Sequence, residues 1–220
     1  MSDRLSRPDT ALVFDFDGVI LDSARLKRQA FADLYADEPN EQHRDVVAYL
    51  ERRGGQPREV KFRHIEGHIL GRDASEPRIQ TLCRRFKERV EQRLFEAKAI
   101  PGAQAFLERW AGHLPLYLLS ATPETELKAI TARRGLDRYF LEVIGAPPDK
   151  VTGLRNLLVR RDHAPATTVM IGDSYNDYRA ARSNGTAFIG VTADPAASPF
   201  PSDIVTTTDL TGLEAALERL

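Results

Sequence analysis

Short apolar runs alternate with amphipathic stretches over the second half of the chain. Five such runs, each bounded by polar or turn-forming residues, predict strands at 116–119, 142–144, 168–171, 187–191 and 203–205. Apolar residues at helical spacing predict helices between and after them, at 103–111, 124–134, 151–161, 176–183 and 213–220. Strands and helices that alternate in this way favour a parallel sheet with helices on both faces.

A further apolar run, near residues 11–16, is separated from the other strands by a long helical segment. Ser75 is placed to cap the clearest of these helices, and Pro77 lies in its first turn. Its apolar face consists of Ile79, Leu82, Cys83, Phe86, Val90 and Leu94. The sequence therefore predicts a doubly wound α/β core, residues 1–20 and 98–220, with an all-helical insert at 21–97.

The composition describes an ordinary soluble globular protein of 220 residues, with 42% hydrophobic and 29% charged residues. A formal net charge of −1 gives no reason to expect nucleic-acid or membrane partners. The single cysteine, Cys83, excludes a disulfide framework. Residues 1–10 lack the apolar core of a secretory signal, so a cytoplasmic location is expected. The sequence does not define an oligomeric state.

Polar side chains cluster where three of the predicted strands end. Asp15 and Asp17 follow the first strand, Ser120 follows the strand at 116–119, and Asp173 and Asp177 follow the strand at 168–171. The carboxyl ends of parallel strands share one edge, which is where ligands bind in open α/β sheets. Crowded carboxylates favour a hard cation such as Mg²⁺, whereas helix N-termini and a hydroxyl favour phosphate. The pattern therefore predicts metal-assisted phosphoryl chemistry.

These motifs resemble those of the haloacid dehalogenase superfamily, in its capped branch of phosphoglycolate phosphatases and β-phosphoglucomutases. The first motif is Asp-Phe-Asp-Gly-Val at 15–19, and Ser120 is the second. Lys150 is the third, although Val151 follows it where many relatives have proline. The fourth is Gly-Asp-Ser-Tyr-Asn-Asp at 172–177. The four motifs occur in the family's order across the whole core.

The resemblance implies a role for each of these residues. Asp15 is the nucleophile that forms a phospho-aspartate, and Asp17 exchanges protons with the leaving oxygen and the attacking water. Ser120 and the backbone amide of Ala121 hold the phosphoryl oxygens. Lys150 balances the negative charge of Asp15 and the phosphate. An acid at Asp17 also distinguishes phosphatases from the relatives that remove halide, because halide needs no proton.

The resemblance also implies a cofactor and a substrate class. Mg²⁺ is expected to bind the Asp15 side chain, the Asp17 backbone carbonyl and Asp173, with Asp177 supporting it directly or through water. The expected partner is a small phosphorylated metabolite, such as a sugar phosphate, a phosphoglycolate-like acid or a nucleotide. The helical insert resembles the family's cap, which excludes water and recognises the rest of the substrate.

Basic residues of the cap are candidates for contact with the substrate: Lys27, Lys61, His64, His68 and Arg72. The last four fall at helical spacing and could form one stripe that binds an acidic or sugar-like group. The alternative interpretation is a solvated helix face. Gly67 and Gly71 each weaken such a helix by roughly 1 kcal/mol.

Three other functions remain open from the sequence. A sugar phosphomutase of the β-phosphoglucomutase type shares all four motifs, but it carries a histidine where this chain has Lys27. Phosphonate cleavage would need an imine-forming lysine, for which Lys27 or Lys61 could serve, but such relatives usually alter the second aspartate. The third alternative is a non-catalytic phosphate-binding protein that retains only the fold.

Overall fold

A single six-stranded parallel sheet forms the centre of the protein. The computed structural model describes residues 5, 7, 9–194, 196 and 198–220, so much of the polar segment 1–10 lies outside the described residues. The strand order is β3-β2-β1-β4-β5-β6, and every pairing is parallel. The strands are β1 (Ala11–Phe14), β2 (Leu116–Pro123), β3 (Glu142–Ala146), β4 (Thr168–Gly172), β5 (Ala187–Val191) and β6 (Thr206–Thr207).

The α-helices fall into two groups along the chain. Between β1 and β2 the chain first forms α1 (Ala24–Asp33), α2 (Asn40–Arg52), α3 (Arg58–His64) and α4 (Glu76–Glu96), a group called the cap below. A π-helical turn, Ile65–Ile69, continues α3. The remaining helices accompany the sheet: α5 (Ala103–Trp110), α6 (Glu124–Arg133), α7 (Lys150–Arg161), α8 (Tyr175–Asn184) and α9 (Leu213–Glu218).

Strand β1 is apolar throughout because both of its faces are buried. Leu12 and Phe14 belong to an apolar cluster that includes α5, α6 and α9. Ala11 and Val13, which point to the opposite face, belong to a cluster that includes α7 and α8. This two-sided burial explains why the run shows no alternation of polar and apolar residues. The α/β prediction, a parallel sheet with helices on both faces, is confirmed.

The cap has an aromatic centre that is continuous with one face of the sheet. The Phe31 ring lies 4.1 Å from the ring of Phe86 and 4.9 Å from that of Phe62, measured between centroids. All three rings belong to the same apolar cluster as Leu12 and Phe14. The predicted apolar face of α4 is buried along its whole length. The assignment of residues 21–97 as a separate domain stays a prediction.

Several contacts join the cap to the core near the carboxyl edge of the sheet, and two of them involve α3 and the loop before it. Arg58, at the start of α3, forms an ion pair with Glu126 of α6. The side-chain amide of Asn176, in the first turn of α8, donates a hydrogen bond of 2.9 Å to the Gly54 carbonyl. The cap loop before α3 is therefore held against the loop that follows β4.

Some predicted boundaries differ from the structure. The strand predicted at 203–205 is wrong in position. The Ile204 N–H donates to the Pro201 carbonyl and closes a turn, and the strand that pairs with β5 is Thr206–Thr207. Ser75 precedes α4 but makes no side-chain capping hydrogen bond. Helical structure continues from α3 through Ile69 and ends before Gly71, whose φ of +62° favours glycine. No helix of the described residues has the length and apolar character that a membrane span requires.

Candidate active site

Asp15 extends strand β1 by one residue and places its carboxylate at the carboxyl edge of the sheet. Its backbone N–H donates to the Ile171 carbonyl at 2.9 Å, which fixes the residue in the strand ladder. The side chain is only 3% exposed. One carboxylate oxygen accepts a 2.7 Å hydrogen bond from the Phe16 N–H, and the other lies 2.8 Å from the Lys150 ammonium. The carboxylate is thus held in one orientation by its backbone neighbour and by a buried cation.

Lys150 bridges two buried carboxylates. It is the first residue of α7, which Asp149 caps by accepting a hydrogen bond from the Thr152 N–H. The ammonium is paired with both Asp15 and Asp177. Burial lowers the pKa of Lys150, but the two carboxylates outweigh burial, so the pKa is raised overall and the side chain is charged at neutral pH. The structure therefore places Lys150 beside Asp15, and its charge-balancing role in a reaction stays a prediction.

Asp177 is fully buried in the first turn of α8. Its side chain accepts hydrogen bonds from the backbone N–H and the hydroxyl of Ser174, in a reciprocal capping arrangement. Its other oxygen faces Lys150. The sequence motif at 172–177 therefore starts the helix and also positions the lysine.

Carboxylate oxygens of Asp15, Asp173 and Asp177 all lie within 4.8 Å of one another. Burial raises the pKa of Asp15 to about 7, with Asp177 and Asp17 adding to the rise and Lys150 opposing it. Burial and the charges of Asp15 and Asp177 likewise raise the pKa of Asp173. Both pKa values rise because a buried carboxylate near other carboxylates is less stable in its ionised form. This all-oxygen donor set fits a hard divalent cation such as Mg²⁺.

Asp17 is held differently from Asp15. Its carboxylate lies 2.6 Å from the Lys27 ammonium and accepts a 2.6 Å hydrogen bond from the Ser23 hydroxyl. Thr122 contributes a hydroxyl, 2.8 Å from the same ammonium and 3.4 Å from the Asp17 carboxylate. Burial raises the pKa of Asp17, but attraction to Lys27 and the hydrogen bonds outweigh it, and the pKa is lowered overall. Asp17 is therefore ionised at neutral pH.

Ser120 and Ala121 lie where β2 approaches its end, beside the acidic residues. The Ser120 side chain is buried, and its oxygen accepts a 3.1 Å hydrogen bond from the Thr122 N–H. One pocket is lined by Ser120 and Ala121 together with Asp15, Lys150 and Asp173. The structure thus brings together residues from all four sequence motifs, although their functional roles stay predictions.

The cap residues that were predicted from the sequence to contact the substrate do not form one surface. Lys61 lines the pocket, whereas the His64 ring stacks between those of Tyr49 and His68, at centroid distances of 4.3 and 4.7 Å. Arg72 lies beyond the helical segment and binds Glu38 through two hydrogen bonds of 2.6 Å. The predicted stripe is therefore divided, because the helix ends before Arg72 and the histidines stack away from the pocket lining.

Several residues at the site were missed from the sequence. Ser23 and Thr122 contact Asp17, and Arg28 and Arg58 line the pocket. Thr122 lies two residues after Ser120 near the end of the same strand, and this position could have identified it as a site residue from the sequence. The two arginines carry no comparable signal, because the cap contains many basic residues at similar helical positions.

Comparison with known proteins identifies a family and several relatives. The family of haloacid dehalogenase-like hydrolases matches residues 10–185. The chain is 29% identical over 191 residues to a 5'-nucleotidase of Pseudomonas aeruginosa, covering 82% of this chain and 81% of that protein. It is 28% identical over 189 residues to a phosphoglycolate phosphatase of Synechococcus elongatus, with 83% of each covered. CbbY of Rhodobacter sphaeroides, solved in complex with phosphate, shares the fold at a TM-score of 0.75 and 19% identity, over 95% of this chain and 99% of that one.

Proposed function

This chain belongs to the haloacid dehalogenase-like hydrolase family, and we propose that it is a Mg²⁺-dependent phosphatase acting through a phospho-aspartate on Asp15. The substrate is a phosphomonoester of a small metabolite. One observation carries the proposal: the buried Asp15 carboxylate lies 2.8 Å from the Lys150 ammonium, in an acidic cluster at the carboxyl edge of the sheet. The names of two relatives, a 5'-nucleotidase and a phosphoglycolate phosphatase, support a phosphate ester as substrate.

In the first step a carboxylate oxygen of Asp15 attacks phosphorus, and the bond between phosphorus and the leaving oxygen breaks. Asp17 gives its proton to that oxygen, so the alcohol leaves neutral. The resting carboxyl group is ionised, but a bound phosphate dianion places like charge beside it and raises its pKa. Substrate binding thus favours protonation of Asp17, which then supplies the proton that the leaving oxygen needs.

In the second step a water oxygen attacks the phosphorus of the phospho-aspartate. Asp17, now ionised, takes a proton from that water, and the bond between phosphorus and the Asp15 oxygen breaks to release phosphate. Lys27 and Ser23 lower the pKa of Asp17 and so keep it in the ionised form that can accept this proton.

The charges around the phosphoryl group need compensation at every stage. Lys150 provides one fixed cation beside Asp15. Asp15, Asp173 and the Asp17 carbonyl would hold Mg²⁺, supported by Asp177, and when bound the ion screens the phosphoryl oxygens and orients them. Ser120 and the Ala121 amide would bind the remaining phosphoryl oxygens. Phosphoryl transfer depends mainly on such positioning and charge neutralisation.

Replacing Asp15 by asparagine tests the proposal. Asp15→Asn should lower kcat for p-nitrophenyl phosphate with Mg²⁺ by more than about 1000-fold, because the nucleophile is lost. It should also remove the phosphoryl adduct that mass spectrometry detects on acid-quenched wild-type protein. Asp203→Asn is the matched control, because Asp203 is an exposed aspartate between β5 and β6, and this variant should retain activity. Near-normal turnover by folded Asp15→Asn protein would reject Asp15 as nucleophile.

A further inference from the structure

The pocket that begins at the acidic cluster ends in a basic wall supplied by the cap. Its lining includes the cations Lys27 and Arg28 of α1 and Arg58 and Lys61 of α3. A substrate whose phosphate reached Asp15 would direct the rest of its structure toward these side chains.

Two of the four cations already have carboxylate partners. Lys27 is paired with Asp17 at 2.6 Å, and Arg58 is paired with Glu126. Arg28 and Lys61 have no ion pair with any described residue. These two are therefore the cations of the wall that have no ion-pair partner among the described residues.

Lys61 is the more unusual of the two because it is buried. Its side chain is 8% exposed, yet within the described part of the chain its ammonium donates no hydrogen bond. The ammonium lies 5.1 Å from the centroid of the Phe31 ring, which attracts it but accepts none of its three N–H donors. Burial, followed by the charge of Lys27, lowers the pKa of Lys61 to about 8, so the side chain is still mainly protonated at pH 7.

The Lys61 ammonium keeps some surface open to the pocket that it lines, and a ligand anion there can supply the acceptor that the described residues do not. We propose that Lys61, with Arg28 beside it, binds a second anionic group of the substrate, in the part of the molecule that leaves as the alcohol. The inference rests on the proposed function and narrows its substrate class to phosphomonoesters that bear a carboxylate or a second phosphoryl group. Substrates with a neutral alcohol portion would gain no charge-assisted hydrogen bond from Lys61, so they would be used less efficiently.

The experiment compares substrates that differ only in the second anion. The carboxylate pair is 2-phosphoglycolate and 2-hydroxyethyl phosphate, and the phosphoryl pair is propane-1,3-diyl bisphosphate and 3-hydroxypropyl phosphate. The measured quantity is the ratio of kcat/KM for the anionic member to kcat/KM for the neutral member. Whichever pair gives the larger ratio in the wild-type protein identifies the second anion.

Lys61→Met should lower that ratio by about 10- to 100-fold, which is the effect of losing one charge-assisted hydrogen bond. Lys61→Arg, which keeps the charge, should restore part of the ratio. Lys87→Met removes an exposed lysine of α4 and is the matched control, whose ratio should equal that of the wild type. A wild-type ratio near one for both pairs, or an unchanged ratio in Lys61→Met, would overturn the inference.

A binding measurement separates this inference from the proposed function. Isothermal calorimetry with Asp15→Asn protein should show that the preferred anionic compound binds about 10-fold or more tightly than its neutral partner. Adding Lys61→Met should abolish that difference. Binding that depends on Lys61, in a protein whose wild type hydrolyses neither these four compounds nor p-nitrophenyl phosphate with Mg²⁺, would retain the anion site and reject the phosphatase. If the anionic compound binds equally well to Asp15→Asn protein with and without Lys61→Met, the anion site is rejected and the phosphatase is not.

Discussion

Replacing Gly18 by alanine displaces one acidic side chain of the site without removing any functional group. Gly18 has a φ of +80°, and a Cβ atom built on it would lie 2.2 Å from an Asp173 carboxylate oxygen. Ordinary contacts begin at 3.4 Å, so the Asp173 carboxylate must move by about 1 Å. The movement would take Asp173 away from the other carboxylates of the cluster.

Two effects of Gly18→Ala must be separated. The first is backbone strain, because a side chain at positive φ costs about 1 to 2 kcal/mol. The second is the displaced carboxylate, which should lower kcat/KM by about 100-fold, since a misplacement near 1 Å at a reacting centre has that effect. Gly112→Ala isolates the first effect, because Gly112 has a φ of +82° and nothing within 4 Å of its added Cβ.

The assay measures p-nitrophenyl phosphate hydrolysis against Mg²⁺ concentration, with thermal unfolding followed by circular dichroism. Both variants should lose about 2 to 8 °C in Tm, since 1 kcal/mol shifts a domain of this size by about 2 to 4 °C. Only Gly18→Ala should require more Mg²⁺ for half-maximal rate and lose turnover. If folded Gly18→Ala protein matches Gly112→Ala in both rate and Mg²⁺ requirement, the placement of Asp173 has no role in catalysis.

Two further variants test the charges that hold Asp17 and Asp15. Asp17→Asn should lower kcat/KM for an alkyl phosphate by about 100- to 10,000-fold and kcat/KM for p-nitrophenyl phosphate much less, because a good leaving group needs no proton in the first step. Equal losses of kcat/KM for both esters would argue against proton donation. Lys150→Met should reduce the free energy of unfolding by about 3 to 5 kcal/mol at pH 8 in EDTA, because Asp15 and Asp177 lose their shared cation. Urea unfolding should show a smaller loss of unfolding free energy at pH 5.5. At that pH Asp15 is protonated, because its pKa is raised to about 7 even beside Lys150. A loss that is independent of pH would contradict this account.

The alternation of apolar runs and helical patterns was sufficient to predict the fold. The residues of α4 that were assigned to its apolar face are all buried, and the strand at 187–191 has the predicted bounds. Periodicity succeeds in these cases because each element buries one face, or both, over its full length. It failed at 203–205, because a turn closed by a backbone hydrogen bond leaves little trace in a short apolar segment.

The acidic edge was equally accessible from the sequence. Asp15 and Asp173 follow apolar strands directly, so the parallel arrangement of those strands brings their carboxylates together. Covalent spacing fixes the distance from each strand end to its side chain, and the parallel sheet places these strand ends at one edge. The prediction therefore needed only that the strands run parallel, not the packing of side chains.

The cap shows where the sequence was insufficient. Lys61 and His68 occupy similar positions in the helical pattern, yet Lys61 lines the pocket and His68 stacks on His64. The sequence by itself determined the sheet, the acidic strand ends and the family. The tertiary structure alone decided which cations face the site and which of them lack a carboxylate. The physical reason is that helical spacing fixes a side chain's direction on its own helix, whereas its environment depends on how separate helices dock.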